Sequence, residues 1–289
     1  MGGRLVRKCA EPVQYLLKRH GRETIVGASQ LTGREGIVPP EASPLLEVER
    51  LTVRFGGLVG LSEVSFTVSQ GELVALIGPN GAGKTTLLNV LTGLVRPTSG
   101  RILFRGRDVT RDRSDQLSRQ GISRTFQLIR LFPGLSVLDH IRVGAAFGRS
   151  TETSRPTADD LWHIMAMTDL RHLAQRHAGS LAIGDRKRLE IARALATAPS
   201  LLLLDELIAG LAPPDTRALI ELIRSIHRQG VTIIMIEHIM PAVLELADRI
   251  IVLHHGEKIA EGPSAQVVRD PVVIEAYLGM PPVPSSCQP

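Results

Sequence analysis

A chain of 289 residues is long enough to bury a full hydrophobic core as one large domain or two small ones. Its 43% hydrophobic and 22% charged residues are typical of a globular protein and exclude global disorder. The net charge of +5 fits a solvated basic surface or an anionic partner, but aromatic residues are only 3%, too few to stack single-stranded nucleic acid.

The sequence shows no pattern typical of a membrane-spanning helix, a signal peptide or a disulfide framework. No apolar run approaches the roughly 18 to 20 residues of a membrane helix, and the N-terminus lacks the apolar core of a signal peptide. The two cysteines, Cys9 and Cys287, lie near opposite ends, which argues against a disulfide framework and fits a reducing compartment. Residues 1–44 show no sustained period and predict a flexible extension, with a docking segment for a partner as the alternative.

The first half of the remaining chain is rich in predicted strands. Residues 45–55 and 61–69 alternate apolar and polar side chains, as half-buried strands do. The run ELVALI at 72–77 predicts a buried strand that leads into a Gly-rich turn and a helix starting near Lys84. The segments RILFRG at 101–106 and ISRTFQ at 122–127 predict two more strands.

The second half alternates helices with buried strands. Residues 136–177 are predicted to be mostly helical, with a polar loop at 148–157, and residues 185–198 form a helix with Asp185 at its start. The runs LLLLDE (201–206) and VTIIMIEH (231–238) predict buried strands on either side of a helix over 215–229, with Gly230 just beyond its end. This alternation predicts an α/β fold with a parallel sheet, without an internal repeat.

The stretch GPNGAGKTT at residues 78–86 fits the phosphate-binding pattern G-x-x-x-x-G-K-[ST], with Gly78, Gly83, Lys84 and Thr85 at the fixed positions. Its glycines let successive backbone N–H groups converge on phosphate oxygens, and the following helix directs its positive end to the same place. We expect Lys84 to neutralise the β and γ phosphates of a nucleotide and the Thr85 hydroxyl to ligate Mg²⁺. The flanking strand and helix disfavour a chance Gly-rich turn.

Two adjacent carboxylates end the apolar run LLLLDE. Asp205 fits the second part of a phosphate site, a carboxylate on a buried strand that holds the shell of the metal. Glu206, facing the other way at the strand end, can accept a proton from the attacking water. Adjacent acids after an apolar run are commonly a simple strand end, but the phosphate motif upstream favours the catalytic interpretation.

Further segments surround these motifs in a fixed order. Gln127 follows SRTF, LAIGDRKRLEIARALA precedes LLLLDE, AGLAPPD follows it, and His238 closes VTIIMIEH. In this order the sequence resembles the ATP-binding subunits of ABC transporters over about residues 45–280. The segments VRFGGL, RTFQLIRLFPGLSVLDHI, RKRLEIARALA and PVVIEAYLG are most similar to the ATPases of branched-chain amino acid uptake systems.

The resemblance implies a P-loop NTPase fold of the ABC ATPase type. It is an α/β fold with a mostly parallel core sheet, an N-terminal antiparallel β subdomain and a helical subdomain at about residues 128–198. The ABC ATPase domain would cover residues 45–280, between the flexible extension over 1–44 and a C-terminal tail over 281–289.

The resemblance also implies roles for single positions. Phe55 stands where the family stacks an aromatic ring on adenine, although an ordinary strand hydrophobe is the alternative. Gln127 stands where an amide reaches Mg²⁺ and the attacking water, and His238 where an imidazole contacts the γ-phosphate. The nucleotide-binding residues would be Phe55, Gly78, Pro79, Asn80, Gly81, Ala82, Gly83, Lys84, Thr85, Thr86, Leu181, Ala182, Gly184 and Asp185. The catalytic residues would be Glu206, His238 and Gln127, and the Mg²⁺ ligands Thr85, Gln127 and Asp205.

The LAIGD segment (residues 181–185) departs from the usual Leu-Ser-Gly-Gly-Gln of the family. Ala182 removes a hydroxyl that would contact the γ-phosphate of the ATP held by the opposite subunit, so backbone N–H groups and the helix end near Asp185 remain. Leu207 and Ala212 also depart from the pattern. These changes bear on turnover and signalling between subunits, while the retained Lys84 and Glu206 disfavour an inactive relic.

The resemblance implies ATP and Mg²⁺ as cofactors and several protein partners. One chain has one phosphate loop and one LAIGD segment, so it would dimerise with a copy or a sister ATPase. A separate transmembrane permease would dock on the segment around residues 127–177, with an extracytoplasmic substrate-binding protein in the complex. The subunit would then lie at the cytoplasmic face of the inner membrane, and no nucleic acid partner is expected.

Other functions share these motifs. The chain could serve a urea or amide uptake system or lipopolysaccharide export, because the transported molecule cannot be deduced from this subunit. Soluble ABC ATPases of ribosomes or DNA repair usually carry two ATPase units or a long coiled coil, and neither is visible in the sequence. A P-loop kinase is disfavoured by RKRLEIARALA next to LLLLDE.

Overall fold

The computed structural model describes residues 44–126, 131–148 and 156–278. Cys9, Gln127, Cys287 and nearly all of the predicted extension and tail therefore lie outside the described residues. The strands are β1 (Leu46–Phe55), β2 (Leu58–Val68), β3 (Leu73–Ile77), β4 (Ser99–Phe104), β5 (Arg107–Asp108), β6 (Ile122–Arg124), β7 (Leu201–Asp205), β8 (Thr232–Ile236), β9 (Arg249–His254) and β10 (Glu257–Pro263).

Helices and short 3₁₀ turns connect these strands. The helices are α1 (Lys84–Leu91), α2 (Ser114–Gln120), α3 (Val137–Phe147), α4 (Ala158–Met167), α5 (Ile183–Leu195), α6 (Pro213–Arg228), α7 (Met240–Leu246), α8 (Ser264–Val267) and α9 (Pro271–Leu278), with 3₁₀ turns at Arg171–Leu173 and Ala178–Ser180. Within the described ranges, no helix combines the length and the apolar character needed to cross a bilayer.

The described strands form two sheets. A four-stranded antiparallel sheet has the order β2-β1-β4-β5, and a six-stranded sheet has the order β10-β9-β3-β8-β7-β6. In the second sheet the pairs β9-β3, β3-β8, β8-β7 and β7-β6 are parallel, and β10 is antiparallel to β9 at one edge. The predicted α/β fold with a mostly parallel core sheet and an N-terminal antiparallel sheet is confirmed.

Both faces of the parallel sheet are covered by apolar side chains, which explains why its strands read as continuous hydrophobic runs. In β3, Leu73, Ala75 and Ile77 belong to the apolar cluster that also contains residues of α3 to α7, whereas Val74 and Leu76 belong to the cluster with α1 and the antiparallel sheet. The alternation within one strand therefore joins two hydrophobic layers. The carboxyl ends of β3, β7 and β8 meet at one edge of the sheet, where ligands bind in open α/β folds.

The helical segment predicted over residues 136–177 is interrupted in the structure. Helix α4 ends at Met167, and Asp169 takes a left-handed backbone conformation with φ of 56°. This turn lets the N–H of Leu170 bond the Met165 carbonyl at 2.7 Å and buries the Leu170 side chain completely. The helix therefore ends at Met167, although the helical spacing of apolar residues continues in the sequence beyond it, because the turn at Asp169 buries Leu170.

Two helix starts differ from the prediction. Helix α5 begins at Ile183 rather than Asp185, with Ala182 at the N-cap, and helix α6 begins at Pro213 rather than Asp215. Prolines at the first helical positions lack an N–H that would be unpaired there in any case. The hairpin of β9 and β10 was not predicted, although its run RIIVLHHGEKI carries an apolar stretch followed by a turn.

Candidate functional site

The phosphate loop (residues 78–86) joins β3 to α1 in a space that admits only glycine at two positions. Gly78 and Gly83 have φ of 147° and 102°. A Cβ atom on Gly78 would lie 2.0 Å from the Leu253 carbonyl oxygen, and one on Gly83 would lie 2.7 Å from the Gly60 carbonyl oxygen. The loop is therefore pressed between β2 and β9, and its glycines are required by contact as well as by backbone conformation.

Neighbouring strands also hydrogen-bond to this loop. The Gly256 N–H, in the turn between β9 and β10, donates to the Ala82 carbonyl at 3.0 Å. The Ser62 N–H of β2 donates to the Gly256 carbonyl at 2.8 Å. These bonds tie the phosphate loop to both sheets, so the backbone N–H groups at the start of α1 are held in a rigid frame.

Lys84 is buried at the first position of α1 and folds back across the loop. Its Nζ donates to the carbonyl oxygens of Gly78 at 2.7 Å and Pro79 at 2.9 Å. Burial lowers the pKa of Lys84, and the negative charges of Glu206 and Asp205 partly oppose this effect. The ammonium group therefore lies between the phosphate loop and the two carboxylates at the end of β7.

A cleft of about 430 Å³ lies beside the loop. It is lined by Phe55, Leu58, Val59, Gly60, Asn80, Gly81, Ala82, Gly83, Lys84, Thr85, Thr86 and Glu206. The Phe55 ring is 49% exposed, and a Cβ on Gly60 would come within 2.9 Å of it. Phe55 and the loop residues 80–86 thus line one cleft, whereas the predicted Gly78 and Pro79 do not line it. Leu58, Val59 and Gly60 also line it and were not predicted, because the hairpin signal FGGL does not indicate which residues the hairpin faces.

Asp205 ends β7 with its side chain only 1% exposed. Its Oδ2 accepts a hydrogen bond from Arg124 Nη2 at 2.7 Å, whereas its Oδ1 is buried with no hydrogen-bond partner among the described residues. A buried carboxylate oxygen without a donor is costly unless a ligand completes it. Such an oxygen suits a cation or its bound water.

Glu206 follows Asp205 in a left-handed backbone conformation with φ of 49°. Its N–H donates to the Ile236 carbonyl of β8 at 3.0 Å, and its side chain lines the cleft. The Glu206 side chain lines the cleft, whereas the Asp205 side chain is buried and does not line it. A positive φ at a non-glycine residue is strained and is often found at functional sites.

A buried polar cluster lies behind the strand end that carries Glu206. The Ile208 N–H donates to Glu237 Oε1 at 2.7 Å, and Lys187 Nζ of α5 donates to the Ala209 carbonyl at 2.5 Å. Burial raises the pKa of Glu237, and burial lowers the pKa of Lys187 against the opposing charges of Glu237 and Glu190. This cluster was not predicted from the sequence, although Lys187 lies on the apolar face of α5, three residues from Gly184 and four from Ile191.

Other predicted residues lie outside the cleft. The LAIGD residues Leu181, Ala182, Gly184 and Asp185 surround the start of α5, and none of them lines the cleft. Asp185 lies in the first turn and forms an ion pair with Arg188 at 3.5 Å rather than capping the helix. His238 follows β8 with an exposed side chain and does not line the cleft. Gln127 lies outside the described residues.

A second surface depression, of about 400 Å³, lies on the antiparallel sheet. It is lined by Glu49, Arg50, Glu63 and Arg101 together with Ser99 and Gly100, and it contains none of the predicted site residues. Arg101 and Glu49 already form an ion pair at 3.0 Å. Because none of the predicted site residues lines this depression, the cleft beside the phosphate loop is the candidate site.

Comparisons with known protein families agree with this geometry. The family described as ABC transporter matches residues 61–209. The family described as branched-chain amino acid ATP-binding cassette transporter matches residues 257–279, which include β10, α8 and α9. The first match covers the phosphate loop, the LAIGD segment and the β7 carboxylates.

Curated relatives match over nearly their whole length. The high-affinity branched-chain amino acid transport ATP-binding protein BraF of Pseudomonas aeruginosa is 40% identical over 255 residues, covering 82% of this chain and 98% of BraF. LivG of Escherichia coli, of the same description, is 41% identical over 252 residues, covering 82% of this chain and 99% of LivG. The probable LivG of Archaeoglobus fulgidus is 33% identical over 245 residues, covering 81% and 95%.

Solved structures show the same architecture. A nucleotide-free ATP-binding cassette from an ABC transporter superposes with a TM-score of 0.74 at 32% identity, covering 82% of this chain and 100% of that chain. The ADP conformation of the cassette MJ1267 gives a TM-score of 0.74 at 33% identity, covering 83% and 100%. The predicted resemblance is confirmed: the chain belongs to the ABC transporter family and is one of its ATP-hydrolysing subunits.

Proposed function

We propose that this chain hydrolyses Mg·ATP to drive an importer of branched-chain or other hydrophobic amino acids. The observation that carries the catalytic part is the single cleft that joins the phosphate loop, the Phe55 ring and Glu206, with the Asp205 carboxylate behind it. The relatives BraF and LivG, named for high-affinity branched-chain amino acid transport, support the transported class.

Nucleotide binding follows from the residues of the cleft. The half-exposed Phe55 ring offers a face for adenine, and base stacking on an aromatic ring contributes roughly 1–3 kcal/mol in other proteins. The backbone N–H groups of residues 81–86 and the positive end of α1 bind the phosphates. Lys84 exchanges its two loop carbonyls for phosphate oxygens and neutralises their charge.

The residues present fit a Mg²⁺ ion bound together with the nucleotide. Among the described residues, no group of three or more His, Cys, Asp or Glu is placed to hold a metal by itself, so phosphate oxygens would complete the coordination. Thr85 supplies a hydroxyl, the unpartnered Oδ1 of Asp205 supplies a carboxylate oxygen, and Gln127 would add an amide. When bound, the ion neutralises charge that develops on the phosphates.

Glu206 is placed to act as the general base of hydrolysis. It accepts a proton from the water that attacks the γ-phosphorus, the bond to the β–γ bridging oxygen breaks, and ADP and phosphate are formed. His238 and Gln127 would approach the γ-phosphate and the water. His238 does not line the cleft of a single chain, so closure of the site is needed for its contribution, and Gln127 lies outside the described residues.

Closure is supplied in this proposal by a second subunit. The LAIGD segment is presented at the start of α5, away from the cleft of its own chain, with Ala182 and Ile183 exposed. A head-to-tail pair brings that helix end to the ATP of the other subunit, where its N–H groups bind the γ-phosphate. The partner is a copy or a sister ATPase, and the dimeric post-hydrolysis cassette MJ0796 bound to ADP and Pi, similar over 76% of this chain, supports this arrangement.

The work done by this cycle is transport. A transmembrane permease docks on the segment around residues 127–177, where Phe132, Phe147 and Trp162 expose apolar surface, and an extracytoplasmic substrate-binding protein delivers the amino acid. The subunit then lies at the cytoplasmic face of the inner membrane. The proposed domain division is an ABC ATPase domain over residues 45–280, with a helical subdomain at about 128–198.

The Glu206→Gln variant tests the catalytic assignment. Gln keeps the size and a hydrogen-bonding oxygen but cannot accept the proton, so we expect nucleotide affinity within about twofold of wild type and a loss of turnover of at least about 10²-fold. Phosphate release and binding of a fluorescent ATP analogue are measured in parallel. Undiminished phosphate release by the variant would remove Glu206 from the role of base.

Purification from membranes tests the transport assignment. The chain is isolated with its natural partners, reconstituted in vesicles and supplied with leucine, isoleucine, valine, urea or lipopolysaccharide. We expect ATP-dependent uptake of the aliphatic amino acids only. Transport of urea or lipopolysaccharide, or co-purification with ribosomes instead of a permease, would contradict the proposed substrate class while leaving the ATPase assignment intact.

A further inference from the structure

We propose that Arg124 is a positioning residue for the metal site, because it fixes the Asp205 carboxylate so that the other oxygen faces the cation of the bound nucleotide. This inference rests on the proposed role of Asp205 in holding Mg²⁺. Arg124 lies at the end of β6 and belongs to neither the phosphate loop nor the LAIGD segment.

The Arg124 guanidinium bridges two parts of the site. Its Nη2 donates to Asp205 Oδ2 at 2.7 Å, and its Nη1 donates to Asn89 Oδ1 of α1 at 2.6 Å. The side chains of Arg124 and Asp205 are 6% and 1% exposed. One rigid fork therefore sets the distance between the helix that follows the phosphate loop and the carboxylate at the end of β7.

Thr125, the residue after Arg124, holds the backbone of Asp205. The Asp205 N–H donates to Thr125 Oγ1 at 3.2 Å, and the Thr125 N–H donates to the Leu203 carbonyl at 2.9 Å. Backbone and side chain of Asp205 are thus both held by the segment that ends β6. With Oδ2 occupied and the main chain fixed, the direction of Oδ1 is determined.

The geometry favours positioning over stability as the role of Arg124. Its Nε is buried with no partner among the described residues, and a buried ion pair in general adds little net stability. Its planar fork reaches Asn89 and Asp205 with two nitrogens in fixed relative positions, whereas a lysine ammonium is one compact charge on a flexible stem. Partners that orient a metal-binding carboxylate typically contribute 10- to 100-fold in metal affinity or activity.

The experiment compares the Mg²⁺ requirement of variants. Binding of a fluorescent ATP analogue is titrated over a range of Mg²⁺ concentrations and repeated in EDTA for wild type, Arg124→Met, Arg124→Lys and Asn89→Ala. We expect a 10- to 100-fold rise in the Mg²⁺ concentration at half-saturation for Arg124→Met, a smaller rise for Arg124→Lys and for Asn89→Ala, and an unchanged affinity in EDTA.

Two controls separate this inference from the proposed function and from simple loss of stability. Arg249→Met removes a guanidinium that pairs with Glu72 at 2.6 Å, away from the cleft, and we expect no change in Mg²⁺ requirement. Asp205→Asn removes the proposed ligand itself. If Asp205→Asn raises the Mg²⁺ requirement but Arg124→Met leaves it unchanged or lowers it, the positioning role of Arg124 is wrong. If Asp205→Asn has no effect on the Mg²⁺ requirement, the proposed metal site is wrong.

A variant that fails to fold is recognised by its thermal unfolding curve in EDTA, where metal plays no part. In that case Asn89→Ala decides the question, since it leaves the ion pair of Arg124 and Asp205 in place and removes only the second anchor. An unchanged Mg²⁺ requirement for Asn89→Ala would then overturn the bridging role.

Discussion

At the scale of single residues, charge is buried behind the catalytic edge of the sheet. Glu237 is 3% exposed, accepts the Ile208 N–H and carries a second oxygen with no hydrogen-bond partner among the described residues. Lys187, from a different element, bonds the Ala209 carbonyl. Burying the charges of these two side chains is unfavourable. Their hydrogen bonds nevertheless hold the backbone just after Glu206, and so they support the position of the proposed base.

The pH dependence of folding tests this cluster. Burial raises the pKa of Glu237 in the folded protein above its usual value of 4.5, so the proton binds more tightly in the folded state than in the unfolded chain. Its contribution to stability is therefore present below pH 4.5 and is lost as the pH rises through the folded pKa. In Glu237→Gln, which keeps an acceptor for the Ile208 N–H, this loss is absent.

We expect the unfolding free energy of Glu237→Gln, relative to wild type, to increase as the pH rises from 4.5 to 8. Urea unfolding at several pH values measures this difference, with exposed Glu275→Gln as the control for removal of one carboxylate. Lys187, Glu206 and His238 are present in both proteins. A difference that stays constant or falls with pH would show that burial does not raise the pKa of Glu237.

At the scale of elements, the start of α5 lacks a capping side chain. Ala182 occupies the N-cap with φ of −62° and ψ of 159°, and it makes no side-chain hydrogen bond. Helix α3, by contrast, is capped by Ser136, whose Oγ accepts the Asp139 N–H at 3.1 Å. The extended conformation of Ala182 is the one that serine adopts as an N-cap, so a serine side chain would fit here. Because alanine has no capping oxygen, no side chain at this position accepts a hydrogen bond from the first N–H groups of α5.

We expect Ala182→Ser to stabilise the protein by about 1 kcal/mol, because the hydroxyl accepts an N–H of the first turn. Ser136→Ala is the reverse experiment at α3 and is expected to cost about 1 kcal/mol. Denaturant unfolding measures both. A cap in Ala182→Ser that added no stability would show that these N–H groups are already satisfied in the folded chain.

At the scale of the whole molecule, the phosphate loop lies between a strand of the antiparallel sheet and a strand of the parallel sheet. Helix α1 packs its leucines against the antiparallel sheet and one face of the parallel sheet, and the β9–β10 turn bonds the loop from the other side. A ligand in the cleft therefore contacts residues of the antiparallel sheet, such as Phe55, and of the parallel sheet, such as Glu206. Binding there stabilises both parts of the chain together.

A nucleotide is thus expected to raise the unfolding temperature. At one hundred times its dissociation constant, a non-hydrolysable ATP analogue with Mg²⁺ stabilises the folded state by about 2.7 kcal/mol, or roughly 5–10 °C for a protein of this size. Lys84→Ala should lose most of this increase, whereas Lys258→Ala, whose ammonium pairs with Glu261 in β10, should keep it. An equal increase in both variants would place the nucleotide elsewhere.

Much of the fold was predictable because its signals are local. The runs ELVALI, LLLLDE and VTIIMIEH are buried on both faces, and continuous apolar stretches of that length indicate parallel strands. The β9–β10 hairpin and the early end of α4 were not predictable in the same way. A short apolar run does not indicate which strand it will pair with. The burial of Leu170 depends on the surrounding tertiary packing.

The sequence by itself determined the phosphate loop and the adjacent carboxylates Asp205 and Glu206, because consecutive residues of a strand, turn and helix stay close in any fold. Only the tertiary structure decided which distant residues meet them. Arg124 reaches Asp205 across 81 positions, and Glu237 reaches Ile208 across 29. The order β3-β8-β7-β6 brings these pairs together, and strand order depends on packing of the whole core rather than on any local period.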